Sequence, residues 1–153
     1  MAAMDETDQI IIRLLAADAR RSLADIGGQI GLSPSAVNER IRRLAGDGTI
    51  RRFTVEADPA ALGLPVLVFV WVALREDADE AAFRAHAVAD PAILECHHVT
   101  GAWSYLLKLR LAAIEGIEEA LARLKATGLL ARSETVLALS SPVPGPHLPA
   151  ARP

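Results

Sequence analysis

The sequence predicts an α+β chain of two small domains: three short helices arranged as a helix-turn-helix, then a β-α-β-β-α-β domain. Three observations predict this. Helical apolar spacing recurs three times within the first fifty residues, twice behind a serine cap. From Val66 onward, apolar strand-like runs alternate with amphipathic helical stretches. Between the two patterns lie the breakers Asp58-Pro59 and Gly63-Leu64-Pro65. The expected division is therefore 1–55 for the first domain, 56–65 for a linker and 66–141 for the second domain. Residues 142–153 carry five prolines (Pro142, Pro144, Pro146, Pro149 and Pro153) and read as a disordered tail.

The first helix starts near Asp5 or Thr7, with Ile11, Leu14 and Leu15 on one face. Asp18–Arg21 is a polar break. Ser22 caps a second helix whose Leu23, Ile26 and Ile30 face inward, and Gly31 ends it. Ser33-Pro34 starts the third: the hydroxyl caps free N–H groups, and proline suits the first helical position. Val37, Ile41 and Leu44 point inward from it, and Gly46 and Gly48 stop it. Ile50–Val55 reads as a strand.

Two helices that cross steeply need a small residue where they touch and a glycine at the turn. Gly27 and Gly31 supply these. Gly28 has no such reason to be glycine, and it costs the helix roughly 1 kcal/mol relative to alanine. Burying Val37 and Ile41 turns Ser35, Asn38, Glu39 and Arg42 outward together. Asparagine suits adenine edges, and arginine suits guanine or phosphate. Ser33, Arg40, Arg43, Arg51 and Arg52 are the expected phosphate partners. The charge distribution agrees. The chain of 153 residues has a net charge of −3, which is no signature of a nucleic-acid binder. Yet residues 35–55 hold five arginines against Glu39 and Asp47, while residues 56–153 are net acidic. A plain three-helix bundle with a solvated basic face is the alternative.

In the second half Val66–Leu74 is apolar at every position. Ala78–Ala89 is a helix with Phe83 and Ala87 on one face. Ile93–Thr100 and Trp103–Leu111 form a hairpin about Gly101-Ala102. Ile114, Ile117, Leu121 and Leu124 mark a second helix, stopped by Gly128, and Leu129–Leu139 is the last strand. This is a ferredoxin-like order. Right-handed crossovers place both helices on one face of the sheet. A strand apolar on both faces then needs a second cover, and another subunit supplies it. An obligate dimer follows, and two-fold symmetry would pair two recognition helices across neighbouring half-sites.

Other chemistry is sparse. Cys96 is the only cysteine, so no intrachain disulfide forms, and it reads as a small core residue. His97 and His98 are adjacent and face opposite ways in a strand, so they do not make a metal site. No phosphate loop, nucleophile elbow or HExxH motif occurs, and no cofactor is expected. No signal peptide is evident, and no apolar run approaches the roughly 20 residues of a spanning helix. A cytoplasmic protein is expected.

Three stretches carry a resemblance: MDETDQIIIRLLAADAR at the start, LSPSAVNERIRRLAGDGTIRRFTV through the third helix, and ECHHVTGAWSYLLKLR in the second domain. Over residues 4–141 the chain resembles the Lrp/AsnC, or feast/famine, transcription regulators. The resemblance implies a winged helix-turn-helix and a ferredoxin-like ligand-sensing domain. It also implies DNA as a partner, dimers that assemble further, often to octamers, and an amino-acid effector held at a subunit interface. The effector turn would here be Thr100, Gly101, Ala102, Trp103 and Ser104, leading into Tyr105. The family commonly places acids in that turn, and Ala102 and Ser104 replace them. A carboxylate is the natural partner of an α-ammonium. The effector therefore differs, binds through backbone groups, or is absent. The competing enzymatic reading is a siroheme-decarboxylase subunit on the same two-domain plan, with His86, His97 and His98 offered to a tetrapyrrole. A third is an assembly partner that has lost DNA binding, against which the arginines of residues 40–52 argue.

Overall fold

The computed structural model describes residues 4–143, so the tail expected over 142–153 lies outside the described residues from Pro144 onward. The chain divides into two compact units, one reaching to Glu56 and the other running from Ala57 to Val143. Among the described residues no helix is long and apolar enough to cross a membrane.

The first unit holds α1 (Glu6–Ala17), α2 (Leu23–Ile30) and α3 (Pro34–Gly46). Each begins at a side-chain cap. Asp5 and Asp8 cap α1 reciprocally, Ser22 accepts from the Asp25 amide, and Ser33 accepts from the Ala36 amide. The helices meet at one apolar point. Ile11 of α1, Ile26 of α2 and Val37 of α3 are fully enclosed, with Leu14, Leu15, Leu23, Ile30, Leu32 and Ile41 packed around them. Enclosing each such side chain is worth about 1.5–3 kcal/mol.

The turn is built as the glycines suggest. Gly31 caps α2 at φ 70°, in the left-handed region. A Cβ at Gly27 would collide with the Leu32 carbonyl oxygen, whereas nothing surrounds a Cβ at Gly28. At the far end α3 runs through Gly46 and stops at Gly48, whose φ is 81°.

The strand expected over Ile50–Val55 does not form. Ile50 turns back, its N–H donating to the Leu44 carbonyl at 2.8 Å. Arg51–Val55 are exposed and have no neighbouring strand among the described residues. A strand needs a ladder partner, and β-branched and aromatic residues alone do not provide one.

The second unit contains β1 (Val66–Leu74), α4 (Glu80–Ala89), β2 (Ile93–His98), β3 (Tyr105–Leu111), α5 (Gly116–Ala126) and β4 (Leu130–Leu137). The strands form one sheet in the order β2-β3-β1-β4, every pair antiparallel. This is the expected ferredoxin-like arrangement. The helix α4 begins two residues later than the apolar pattern suggests, because the Asp79 carboxylate accepts from the Ala81 and Ala82 amides and sets the start there. The hairpin is shorter too. Residues 99–104 leave the ladder, closed by the Val99 N–H donating to the Ser104 carbonyl at 3.0 Å.

One sheet face carries the core. Val68, Val70 and Val72 of β1 and Tyr105, Leu107, Leu109 and Leu111 of β3 pack with Phe83 of α4 and with Ala120 and Leu124 of α5. The alternate residues Phe69, Trp71 and Ala73 point the other way and are half-buried within this chain. Cys96 is exposed rather than core, because β2 is an edge strand. Residues 59–65 fold onto this unit: the Leu64 N–H donates to the Pro59 carbonyl, and Arg110 donates to the Pro65 carbonyl.

The two glycines of α2 should respond in opposite ways to alanine. Gly27→Ala should lower stability by about 1–3 kcal/mol through overpacking. Gly28→Ala should raise it by about 0.5–1 kcal/mol. Urea denaturation of both variants checks this, and equal responses would contradict the close-contact role of Gly27.

Candidate nucleic-acid interface

The orientation of α3 follows from what it buries. Val37 and Leu44 are enclosed, and Ile41 packs beside them. Ser35, Asn38, Glu39 and Arg42 then share an exposed face at i, i+3, i+4 and i+7. This face holds two amide- or hydroxyl-bearing side chains, one carboxylate and one guanidinium. It combines donors and acceptors suited to base edges with a cation suited to phosphate. Ser33 sits at the helix start, where its Oγ accepts from the Ala36 amide at 3.2 Å and lies 3.0 Å from Ser35 Oγ. Arg51 and Arg52 are exposed beyond α3.

Arg40 and Arg43 are placed differently from the other basic residues. Arg40 Nη1 donates to Asp5 Oδ2 at 2.7 Å and to Asp8 Oδ1 at 2.8 Å. Arg43 Nη2 donates to Asp8 Oδ1 at 2.7 Å and Oδ2 at 2.6 Å. Asp8 is fully enclosed and also accepts from the Asp5 N–H at 3.3 Å. Burial pushes the Asp8 carboxyl up, but the hydrogen bonds from Arg40 and Arg43 more than offset it and hold it below the usual carboxylate range. The hydrogen bond from Arg40 likewise lowers Asp5. Sequence reasoning missed these acids. The available signal was position: Arg40 and Arg43 flank the inward stripe of Val37, Ile41 and Leu44, so they face protein at least as much as solvent.

In the second unit three hydrogen bonds tie the 99–104 turn to β1 and β4. The Ser104 N–H donates to the Val72 carbonyl at 2.8 Å, and Ser104 Oγ accepts from the Leu74 N–H at 3.0 Å. From β4, Arg132 Nη2 donates to the Ala102 carbonyl at 2.8 Å, and its guanidinium lies 4.2 Å from the centre of the Trp103 ring. Ala73, the register partner of Arg132, offers only a methyl group in between. Gly101 adopts φ 100°, Thr100 and Ala102 are exposed, and Trp103 lies 6.4 Å from Trp71. A guanidinium from β4 thus lies against the turn.

His97 and His98 do not converge. His97 hydrogen-bonds Glu95 at 3.1 Å, while His98 stacks on Tyr105 at 5.0 Å on the opposite side of β2. His86 lies on α4, with Nε2 buried and unpartnered.

Comparison with known proteins fits both units. A family model described as the AsnC-type helix-turn-helix domain matches residues 4–45, and one described as the Lrp/AsnC ligand binding domain matches residues 67–148. The chain belongs to the Lrp/AsnC family. The HTH-type transcriptional regulator LrpC of Bacillus subtilis is 36% identical over 116 residues, covering 76% of this chain and 80% of that protein. The regulator LrpA of Mycobacterium tuberculosis is 31% identical over 137 residues, covering 88% and 90%. The solved structure of B. subtilis LrpC matches with a TM-score of 0.80 at 33% identity, over 90% of this chain and 96% of that one. These Lrp/AsnC relatives are named as regulators, not as enzymes. The chain is a DNA-binding transcriptional regulator of the same type.

The buried carboxylate makes the first unit acid-sensitive in a defined direction. A carboxyl lowered in the folded state stabilises it fully above the ordinary carboxylate range and ceases to do so as pH falls through the folded-state value. Asp8→Asn should therefore destabilise the first unit at neutral pH, and the difference from the unmodified protein should shrink on acidification. Hydrogen exchange of the α1 and α3 amides against pH reads this. A difference that stays constant from pH 7 to pH 3 would contradict it.

Proposed function

We propose that this regulator reads operator DNA with the exposed face of α3, as a dimer whose response to an amino-acid-like molecule depends on the 99–104 turn. The observation that carries the first part is the enclosure of Val37, which leaves Ser35, Asn38, Glu39 and Arg42 as the outward set. In the proposal these four meet base edges in the major groove, and Ser33, Arg51 and Arg52 meet phosphates.

The dimer is supported by the second sheet face. On this face Phe69 of β1 pairs with Val136 of β4 and Trp71 with Leu106 of β3, Lys108 and Glu134 ending the two rows, and Val136 is 44% exposed within the single chain. Apolar residues on the uncovered side of an antiparallel sheet call for a second layer. A second copy brings the same face and meets it symmetrically.

The effector reading rests on the turn formed by Thr100, Gly101, Ala102, Trp103 and Ser104. Arg132 brings a guanidinium to the Ala102 carbonyl and the Trp103 ring. With Ala102 and Ser104 in place of acids, the carboxylate of an amino-acid-like effector is the group this turn recognises. Regulation without catalysis is the reading favoured for the whole chain, since His97 and His98 lie on opposite faces of β2.

Arg42→Ala should weaken operator binding by about 1–3 kcal/mol while leaving the circular dichroism spectrum and assembly unchanged. Gel-shift titration at moderate salt measures it, and undiminished affinity would remove Arg42 from the contact set. Trp71→Asp should yield a folded monomer that no longer gains thermal stability from any of the twenty amino acids. A stable dimer in analytical ultracentrifugation would refute the covered-face argument.

A further inference from the structure

We infer that Asp5 and Asp8 set the affinity and salt dependence of the DNA interface: they neutralise Arg40 and Arg43 on the recognition helix and withhold both cations from phosphate. The inference rests on the reading that the exposed face of α3 meets DNA. Three arginines lie on α3, and they are not equivalent. Arg40 and Arg43 are tied to two carboxylates of α1 by hydrogen bonds of 2.6–2.8 Å. Among the described residues Arg42 has no such partner and is exposed. Two acids and two arginines make a cluster of zero net charge.

The consequence follows from how nucleic-acid affinity arises. Sequence-independent affinity comes from cations that replace counterions at phosphates, and each such cation adds about 0.9 to the slope of log affinity against log salt. A guanidinium that already neutralises a carboxylate adds nothing unless it abandons that carboxylate. Asp8 cannot follow, because it is enclosed and also bonds the Asp5 amide at the start of α1. Drawing Arg43 onto a phosphate would leave the buried Asp8 with Arg40 alone, itself shared with Asp5, which is unfavourable. The acids therefore subtract non-specific attraction from the helix that reads sequence, and they hold that helix in place against α1. Attraction for operator and random DNA is reduced alike, so the acids set the overall affinity and its salt dependence and leave discrimination to the exposed face.

The test is the salt dependence of binding to operator and to random duplex by the full-length protein. Arg42→Gln should lower the slope by about 0.9 per DNA-bound protomer. Arg40→Gln should leave it unchanged. Asp8→Asn leaves the cluster with one spare positive charge. It should steepen the slope by about 0.9 per protomer on operator and random duplex alike, a roughly three- to fourfold larger loss between 50 and 200 mM salt. Adding Arg43→Gln to Asp8→Asn should restore the original slope, which a purely structural role for Asp8 would not do. Should Asp8→Asn fail to fold, Asp5→Asn at a half-exposed position carries the same expectation with a smaller effect. If Arg40→Gln lowers the slope as Arg42→Gln does, the inference is overturned and the recognition-face reading stands. If neither Asp8→Asn nor Asp5→Asn steepens the slope in folded protein, the inference is likewise overturned. If Arg42→Gln changes nothing, the recognition-face reading falls and takes the inference with it.

Discussion

The enclosure of Val37 between Ile11 and Ile26 is the contact on which the DNA-binding half depends. Three helices of 8 to 13 residues cannot hold themselves in water. They persist because each contributes one fully buried aliphatic side chain to a shared point. That point also sets the rotation of α3 about its own axis. Once Val37 is inside, helical geometry determines which residues are outside, and the polar set at 35, 38, 39 and 42 has no freedom to be elsewhere. The near approach of α2 to the following turn, possible only with glycine at position 27, brings the helices close enough for this.

Around that apolar point the electrostatics are arranged in two classes. The cations nearest α1 are spent on internal acids, and those farther out remain available. On the inference drawn above, counting arginines over residues 35–55 overstates the attraction for phosphate. The same separation of roles occurs in the second unit. Arg123 donates to the nearly buried Asp90 at 2.9 Å and ties α5 to the end of α4, whereas Arg132 lies exposed over Trp103 at the turn. Burial of the acid distinguishes the structural pairs from the exposed cations in both units.

Much of this was legible in the residues. Caps at Ser22 and Ser33, the stop at Gly31 and the apolar spacing of Ile11, Ile26 and Val37 locate the helices because each rests on local physics. The strand Val66–Leu74 and the β-α-β-β-α-β order were legible for the same reason. What was not legible depends on neighbours distant in sequence. Ile50–Val55 has the β-branched and aromatic residues of a strand but no partner beside it. Cys96 has the character of a core residue but lies on an edge strand. The Asp5–Arg40 and Asp8–Arg43 pairs span more than thirty positions, and Arg132 reaches the Ala102 carbonyl from thirty residues away. Such pairings are decided by tertiary packing, and no short window contains them.

The central claim is that packing of Val37 assigns outward, DNA-facing duty to Arg42 and inward duty to Arg40 and Arg43. Nitrogen-15 NMR of the arginine Nε–H groups, recorded as operator duplex is titrated into the protein, tests it most directly. The account predicts that the Arg42 resonance shifts and sharpens with saturation while those of Arg40 and Arg43 stay at their free-protein positions. A shift of Arg40 and Arg43 with Arg42 left unmoved would contradict it.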